Sequence, residues 1–380
     1  MQSFFLSASL ALFSTRVLAQ YYLVDDYVSD GQFFNRFNFD TSDPTHGFVQ
    51  YQTRNDAQSS GLISASGSNV FIGVDDSNVT PNGRPSVRIT SNKTYDSGLF
   101  ILDLQHMPGG ICGTWPATVG PNWPSNGEID IIEGVHQQTV NDMSFHTSDN
   151  CTLANTGAFS GNEVSSNCYI NAPGQSSNQG CTTQGRNTNT YGSGFNNIGG
   201  GVYATEWVSD AISIWFFPRG QIPQDIQNGQ PSPGSWGAPL TQLYGPQGCD
   251  IPSHFNAHSI VFDTTFCGDW AGAVWGSTSC AAAASSCNDF VANNPQAFDQ
   301  AYWSINSLKI YHINGQANFK AFTAPTPENG TSAQPDSVSE LDFVPENSLV
   351  PVSPMGNSSV PDQQRLMREA RRKRAQSIKL

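Results

Sequence analysis

Basic residues are scarce in this chain of 380 residues, which has 17 Lys and Arg against 31 Asp and Glu and a net charge of −14. Seven of the basic residues fall in the last 16 positions, so residues 20–324 have 9 basic against 24 acidic residues and a net charge of −15. A surface this poor in cations repels nucleic acids and anionic membranes. We therefore expect neither as a partner, and the 11% aromatic content favours a neutral, polyhydroxylated ligand instead.

The apolar segment near the start of the chain is too short to cross a membrane. Its apolar-rich run, Phe4–Phe13, has ten residues, whereas a spanning helix needs ~20. The small residue Ala19 follows at a distance that suits cleavage, although no Lys or Arg precedes the run. We therefore interpret residues 1–19 as a secretory signal peptide and expect a secreted, extracellular protein without a membrane anchor.

Several catalytic and metal-binding motifs are absent. The chain has no Gly-x-Ser-x-Gly sequence, which removes the usual α/β-hydrolase interpretation. Its cysteines include no Cys-x-x-Cys pair, so a zinc site is disfavoured. His254 and His258 have the spacing of a zinc-binding helix, but the Glu of that motif is missing between them. We therefore expect neither a metal nor a cofactor.

The cysteines themselves fit an exported protein. Their number is even, and a signal peptide would send them to an oxidising compartment, so four disulfides are expected, with a connectivity that spacing does not reveal. The eight positions are Cys112, Cys151, Cys168, Cys181, Cys249, Cys267, Cys280 and Cys287. Glycosylation sequons at the surface agree with secretion; they begin at Asn78, Asn92, Asn150, Asn329 and Asn357.

Helical periodicity is weak, and short apolar runs alternate with Gly, Asn, Asp and Ser clusters. This pattern predicts many short strands and one large all-β domain over residues 20–324, most simply a β-sandwich. The continuous run Leu99–Leu104 predicts an inner strand that is buried on both faces. Residues 149–200, which are rich in Asn, Ser, Gly and Thr, are expected to form a long loop tied by disulfides.

The segment most indicative of catalysis is Asn126–Gly134, where three carboxylates interrupt an apolar run. Glu128 and Asp130 are two residues apart and so share one face of a strand. Glu133 would point to the other face unless a bulge at one of the two intervening Ile residues adds a step. The glycines on either side, Gly127 and Gly134, are expected to leave room for a ligand backbone.

Two carboxyl groups on one face can cleave a glycosidic bond. One attacks the anomeric carbon while the other protonates the leaving oxygen, and a separation of about 5 to 5.5 Å suits this pair. Asp130 between Glu128 and Glu133 would push their pKa values apart. An acidic strand edge in solvent is the alternative, but no Lys or Arg lies within thirty residues on either side to relieve its charge.

The stretch Trp-Pro-Ser-Asn-Gly-Glu-Ile-Asp-Ile-Ile-Glu resembles the signature of glycoside hydrolase family 16 in its bulged form. The runs His106–Pro108, Cys112–Ala117 and Gly120–Pro124 are similar to the fungal endo-1,3(4)-β-glucanase, or laminarinase, branch. The likeness covers about residues 21 to 322. It implies a concanavalin A-like β-jelly roll with a concave substrate cleft.

The resemblance also implies roles for individual residues. Glu128 would be the nucleophile, Glu133 the general acid/base and Asp130 their helper. Further positions are implied to bind the sugar or to orient the acids, with the tryptophans as stacking platforms, although a single Trp is more often a core residue; they are Trp115, Trp123, Trp270, Arg88, Asn126, His146 and Glu206. Two aromatic residues usual in this branch are missing after Ala117, which removes a sugar platform.

Together these features predict a secreted, monomeric, retaining endo-β-glucanase that hydrolyses β-1,3 and mixed β-1,3/1,4 glucans through a covalent intermediate. A wall-glucan transglycosylase would use the same residues and differ in the acceptor. A lectin-like module that binds β-glucan without cleaving it is a second alternative, but it has no need for both Glu128 and Glu133.

The composition changes at the end of the chain. Residues 325–380 open with an acidic segment rich in Pro and Ser and end in a basic one, and we expect this tail to be disordered. The basic cluster Arg371–Arg374 is compatible with a surface-binding helix, a processing site or a solvated tail without a role.

Overall fold

The computed structural model describes residues 21–116, 123–154 and 158–313. The predicted signal peptide (1–19), the tail (325–380) and the missing aromatic pair after Ala117 lie outside the described residues. Among the residues described, no helix combines the length and apolar character that a membrane span requires.

Strands dominate the described part of the chain. In chain order they are β1 (Tyr21–Asp26), β2 (Phe37–Phe39), β3 (Val49–Tyr51), β4 (Ile63–Ala65), β5 (Val70–Gly73), β6 (Arg84–Ser86), β7 (Arg88–Tyr95), β8 (Gly98–His106), β9 (Thr114–Trp115), β10 (Glu128–Glu133), β11 (Asp142–His146), β12 (Asn162–Ser165), β13 (Cys181–Gln184), β14 (Gly201–Val208), β15 (Ala211–Pro218), β16 (Thr241–Tyr244), β17 (His258–Asp263), β18 (Thr265–Phe266) and β19 (Tyr302–Ile313).

The helices are short. The α-helices are α1 (Arg54–Ser59), α2 (Gly192–Asn197), α3 (Gln224–Gln227), α4 (Ile251–His254) and α5 (Cys287–Asn293). One π turn (Gly268–Gly272) and several 3-10 turns complete the connections; the latter are Phe33–Arg36, Thr188–Thr190, Arg219–Gln221, Pro233–Ser235, Gly245–Gln247, Trp275–Ser277, Ser279–Ala282 and Pro295–Phe298.

Two layers of antiparallel sheet build the fold. The larger layer has eight strands in the order β16-β15-β14-β8-β19-β5-β4, with β1 paired to β19. Facing it are a four-stranded sheet, β10-β11-β13-β12, and a three-stranded sheet, β17-β7-β2. The main core contains side chains of all three sheets, such as Leu104, Ile310, Phe145 and Phe262. The apolar core therefore lies between the layers, as in a β-sandwich whose sheets stay open.

The prediction of a doubly buried inner strand is confirmed by β8. It lies between β14 and β19 at the centre of the larger sheet. Leu102 and Leu104 face the main core, while Leu99 and Ile101 belong to a second cluster on the outer face of the sheet. Alternate residues of a strand point to opposite faces, so an unbroken apolar run is what this position requires.

The prediction of a long loop over residues 149–200 is partly wrong. This stretch contributes β12 and β13, which extend the sheet of the three acids, and the helix α2. Their sequences, Asn162–Ser165 and Cys181–Gln184, carry few apolar residues because one face of this sheet is polar. Periodicity of apolar residues therefore could not reveal them, although two adjacent β-branched Thr residues favour a strand.

All eight cysteines form disulfides, which confirms the expected number. The pairs are Cys112–Cys280, Cys151–Cys249, Cys168–Cys181 and Cys267–Cys287. The first closes a sequence separation of 168 residues, and cross-links over long loops remove the most entropy from the unfolded chain. Two pairs, Cys112–Cys280 and Cys267–Cys287, flank the irregular segment that carries Trp270.

The turn before β10 packs against the end of helix α4. Gly127 has φ +72°, and a Cβ there would lie 2.4 Å from the carbonyl oxygen of His254 and 2.6 Å from the ring of Phe255. A Cβ on Gly134 would lie 2.9 Å from the ring of Tyr191. The expectation that these glycines make room for a ligand is therefore wrong, since the space beside each is filled by the protein itself.

We predict that Gly127→Ala destabilises the fold by about 2–5 kcal/mol, since a left-handed residue costs roughly 1–2 kcal/mol and overpacking roughly 1–3 kcal/mol more. Gly174→Ala is the matched control, because Gly174 has φ +83° and a Cβ added there would meet no atom within 4 Å. Urea unfolding measures both. Equal losses for the two variants would contradict the packing argument.

Candidate active site

The three acids of the motif lie on β10, which pairs with β11. Glu128 is opposite His146, and Glu133 is opposite Asp142. Five residue steps on β10 thus match four on β11, with the shift between Asp130 and Glu133. This is the pattern of a β-bulge. The predicted bulge is confirmed, and it brings Glu133 back to the face that Glu128 and Asp130 share.

The acids are buried although they lie on the outer face of their sheet. Glu128 is 7%, Asp130 1% and Glu133 8% exposed. His146 Nε2 lies 3.1 Å from Oδ2 of Asp130. This agrees with the predicted position of His146 beside the acids. One side-chain ligand atom from each of Glu128, Asp130 and His146 lies within 4.8 Å of the others, so within the described residues this is the set that could hold a metal ion.

Two tryptophans each donate a hydrogen bond to one of the glutamates. Trp115 Nε1 lies 2.9 Å from Oε1 of Glu133, and Trp123 Nε1 lies 2.7 Å from Oε2 of Glu128. Trp270 contacts Trp115 edge to face, with 5.9 Å between the ring centroids. Trp123 is 37% exposed. The structure therefore brings Trp115 and Trp123 to the acids, where each binds a carboxyl group, and places Trp270 against the ring of Trp115.

Burial governs the ionisation of the two glutamates. It raises the pKa of Glu133 to about 8, and the charge of Asp130 adds to this. Burial and Asp130 likewise raise the pKa of Glu128 well above its usual range. Both values are raised, so they are not simply pushed apart as the sequence suggested. Carboxyl groups that share a buried site resist double ionisation, which leaves a proton in the pair.

Asn126 directly precedes Gly127 and β10. Its backbone oxygen accepts hydrogen bonds from Nε2 of His258 at 2.6 Å and from the N–H of Asn256 at 3.2 Å. His254, the other histidine of the pair with zinc-like spacing, contacts the backbone oxygen of Asp149 at 2.8 Å through Nε2. Both histidines therefore bind backbone carbonyls and hold the segments around the start of β10.

Glu206 lies on the other sheet. Its strand, β14, places Val202 and Ala204 on the outer face of the larger layer, and Glu206 shares that face by alternation. Its carboxylate accepts a hydrogen bond from the hydroxyl of Tyr21, and burial raises its pKa. The main core separates this face from β10, so the structure does not bring Glu206 to the three acids.

Arg88 is 6% exposed and forms an ion pair with the fully buried Asp263. Its Nε lies 3.7 Å from Oδ2 of Asp40. Because Arg88 and Asp263 are register partners on β7 and β17, this ion pair joins two strands of the three-stranded sheet. The guanidinium contacts these acids rather than those of β10, and its role in sugar binding stays a prediction.

Sequence reasoning missed Asn141, which is fully buried and lies just before β11. Its Oδ1 accepts a hydrogen bond from the N–H of Glu133 at 3.1 Å, and its Nδ2 donates to the carbonyl of Ile131 at 2.8 Å. Nothing in the sequence around Asn141-Asp142, or in its distance along the chain from the acids, predicts this contact. Only the folded register places it at the bulge.

His136 was missed as well. Its Nδ1 accepts a hydrogen bond from the N–H of Gly113 at 2.9 Å, and its Nε2 therefore donates to the carbonyl of Ala271 at 2.7 Å. Burial lowers the pKa of His136, which agrees with a neutral ring. It ties the segment after β10 to the neighbours of Trp115 and of Trp270, so it holds both rings near Glu133's end of the site.

The comparison with protein families agrees with this geometry. The family model described as "XgeA-like, catalytic GH16 domain" matches residues 36–311. The chain belongs to glycoside hydrolase family 16. The matched range contains the bulged strand β10, all four disulfides and the three tryptophans beside the acids.

Named relatives of this family 16 domain are fungal. Endo-1,3(4)-β-glucanase of Arthroderma benhamiae is 46% identical over 299 residues, which cover 77% of this chain and 65% of that protein. Endo-1,3(4)-β-glucanase xgeA of Emericella nidulans is 45% identical over 296 residues, covering 74% of this chain and 46% of that protein. The resemblance to the fungal branch is thereby confirmed. The chain spans about half to two thirds of the length of these curated relatives.

Solved structures resemble this family 16 domain over its whole fold. An elongating family 16 β-1,3-glucosyltransferase has 45% identity and a TM-score of 0.72. Laminarinase 16A of Phanerochaete chrysosporium, with 6-O-glucosyl-laminaritriose in donor and acceptor sites, has 41% identity and a TM-score of 0.71. Each comparison covers 77% of this chain and all of the solved chain. The predicted jelly-roll fold is confirmed.

We predict that Trp115→Phe raises the pKa of Glu133 above about 8, because the indole N–H stabilises the charged carboxylate. Asp142→Asn is the opposing variant, since the charge of Asp142 raises the pKa of Glu133 and its removal should lower that pKa. Carbon-13 NMR titration, with Glu133→Gln to assign the resonance, measures both shifts. Shifts in the same direction would contradict this description of the site.

Proposed function

We propose that this domain is a retaining endo-β-glucanase that hydrolyses β-1,3 and mixed β-1,3/1,4 glucans. The observation that carries the proposal is the bulge in β10, which puts Glu133 on the face of Glu128, with a tryptophan N–H bound to each carboxyl group. A double displacement needs two carboxyl groups on one face, one as the nucleophile and one as the acid/base.

In the proposed reaction Glu128 attacks the anomeric carbon while Glu133 donates its proton to the leaving glycosidic oxygen. The bond from carbon to oxygen breaks, and a covalent glycosyl-Glu128 ester forms. Glu133, now ionised, then takes a proton from water, which attacks the same carbon and releases Glu128. The raised pKa of Glu133, about 8, favours its protonated form at neutral pH for the first step. The nucleophile must be ionised, and although burial raises the pKa of Glu128 as well, the hydrogen bond from Trp123 Nε1 acts in the opposite direction and favours its charged form.

Asp130 is proposed as the helper of this pair. It lies between the glutamates on the shared face, 1% exposed, and its carboxylate faces the imidazole of His146 at 3.1 Å. Its negative charge raises the pKa of both glutamates. Asp130 therefore favours retention of the proton that Glu133 must deliver, and His146 fixes the orientation of Asp130.

The proposed substrate class rests on the relatives and on the net charge of the chain. Two relatives are named endo-1,3(4)-β-glucanases, and the net charge of −14 suits a neutral polysaccharide. Trp115, Trp123 and Trp270 offer ring faces on which sugar rings can stack. Secretion, proposed from the apolar start of the chain, agrees with the four disulfides. A monomer would suffice, because all the proposed site residues come from one chain.

A wall-glucan transglycosylase is the second candidate, because the similar solved structure at 45% identity is described as an elongating β-1,3-glucosyltransferase. In that reaction a sugar hydroxyl replaces water as acceptor in the second step. Incubating laminarin with and without acceptor oligosaccharides separates the candidates. With a fluorescently labelled acceptor, label in products longer than the acceptor would favour transfer, and shorter unlabelled oligosaccharides beside an unchanged acceptor would favour hydrolysis.

We predict that Glu128→Gln lowers turnover of laminarin by at least about 10³-fold, since the covalent step loses its nucleophile. Glu133→Ala should lower kcat/KM for laminarin by about 10²- to 10⁴-fold but leave an aryl β-glucoside with a good leaving group much less affected. Glu163→Gln is the matched control, because Glu163 is exposed on β12 of the same sheet, and it should keep normal activity.

Proton NMR of the first product then tests the stereochemistry. Attack by Glu128 followed by water at the same carbon gives net retention, so the β-anomer should appear first. An α-anomer appearing first, or a Glu128→Gln protein that turns over laminarin at the normal rate, would contradict the proposed mechanism.

A further inference from the structure

The bulge that defines the site creates a local problem for the backbone. Between Asp130 and Glu133 the ladder of β10 and β11 is out of step, so the extra residue cannot pair its N–H and C=O groups with β11 in the regular way. Both Ile132 and Glu133 are buried, and buried backbone groups need partners. A bulge at this depth therefore requires hydrogen bonds from outside the ladder.

Asn141 supplies them. Its side-chain amide donates from Nδ2 to the carbonyl of Ile131 at 2.8 Å and accepts at Oδ1 from the N–H of Glu133 at 3.1 Å. The two bonds reach the backbone on both sides of Ile132, within the segment where the ladder is out of step. An amide is the group for this task, because it carries a donor and an acceptor side by side on one plane.

Asn141 is itself held in place. Its N–H donates to Oγ1 of Thr190 at 3.1 Å, and its carbonyl accepts from the N–H of Gly185 at 2.8 Å. Thr190 Oγ1 in turn donates to the carbonyl of Asn187 at 2.7 Å. The side chain is fully buried. The amide thus works from a fixed backbone, so it can determine where the backbone of Glu133 lies.

We propose that Asn141 is a positioning residue for the acid/base: its amide fixes the bulge of β10 so that the carboxyl group of Glu133 stays on the face of Glu128. This inference rests on the proposed role of Glu133. Asn141 reaches only the backbone of β10 and acts on the reaction through Glu133. A displacement of about 1 Å at a reacting group can reduce the rate about 10²-fold, so a shift of the bulge would impair proton donation.

Two substitutions of similar size separate the two hydrogen bonds. Asn141→Asp keeps the acceptor for the N–H of Glu133 but sets a carboxylate oxygen against the carbonyl of Ile131. Asn141→Leu removes both bonds. The matched control is Asn196→Asp, because the amide of Asn196 brackets Met107 in the same manner, accepting from its N–H at 2.9 Å and donating to its carbonyl at 3.0 Å.

The test compares kcat/KM for laminarin with that for an aryl β-glucoside whose leaving group needs no protonation, using the full chain and counting active sites by a covalent titrant. We expect Asn141→Asp to lower the value for laminarin about 10²-fold and the value for the aryl glucoside less than about fivefold. Asn196→Asp should change both equally and by little. Equal losses on the two substrates for Asn141→Asp would show a merely structural residue and overturn the proposal.

Amide hydrogen exchange at Glu133 gives a readout that does not depend on activity. The Glu133 N–H should stay protected in Asn141→Asp and exchange faster in Asn141→Leu, or in Asn141→Ala if the Leu variant does not fold. Unchanged protection in the variant without an acceptor would overturn the proposal. If Glu133→Ala itself leaves laminarin turnover intact, the proposed function fails, while the exchange data still decide whether Asn141 holds the bulge.

Discussion

One extra residue in β10 is the constraint on which the site depends. Side chains of a strand alternate between faces, so without the bulge Glu133 would point into the core rather than towards Glu128. The register of β10 against β11 shows the added step between Asp130 and Glu133. The buried amide of Asn141 binds the backbone on both sides of that step. In the proposed mechanism, chemistry at the outer face depends on these hydrogen bonds inside the sheet.

The surroundings of the two glutamates decide how they ionise. Burial favours their neutral forms, and the nearby carboxylate of Asp130 acts in the same direction. The indole N–H groups of Trp115 and Trp123 oppose this, because each stabilises a charged carboxylate. With this balance, one of the two glutamates readily keeps its proton, and ionisation of both at once is disfavoured. That state suits a pair in which one member attacks while the other donates a proton.

The sequence predicts those features that depend on local spacing. The arithmetic of Glu128, Asp130 and Glu133 on a strand requires a bulge, and the unbroken run Leu99–Leu104 requires burial on two faces. Features that arise from distant segments were not predictable. The contact of Gly127 with the end of α4, and the bonds of Asn141 to the bulge, exist only once the strands are in register. The strand β13 was not predicted because one face of its sheet is polar, so its sequence lacks a periodic pattern of apolar residues.

Trapping the glycosyl-enzyme is the most direct test of the central claim, that the bulge places two glutamates on one face for double displacement. A 2-deoxy-2-fluoro laminaribiosyl fluoride forms the covalent ester but slows its hydrolysis, and mass spectrometry of the digested protein locates the sugar. We expect one 2-fluoro-laminaribiosyl group, a disaccharide, per chain on the peptide of β10, attached to Glu128, and none in Glu128→Gln. A label on Glu133 or Asp130, or turnover of the reagent without any label, would contradict this description.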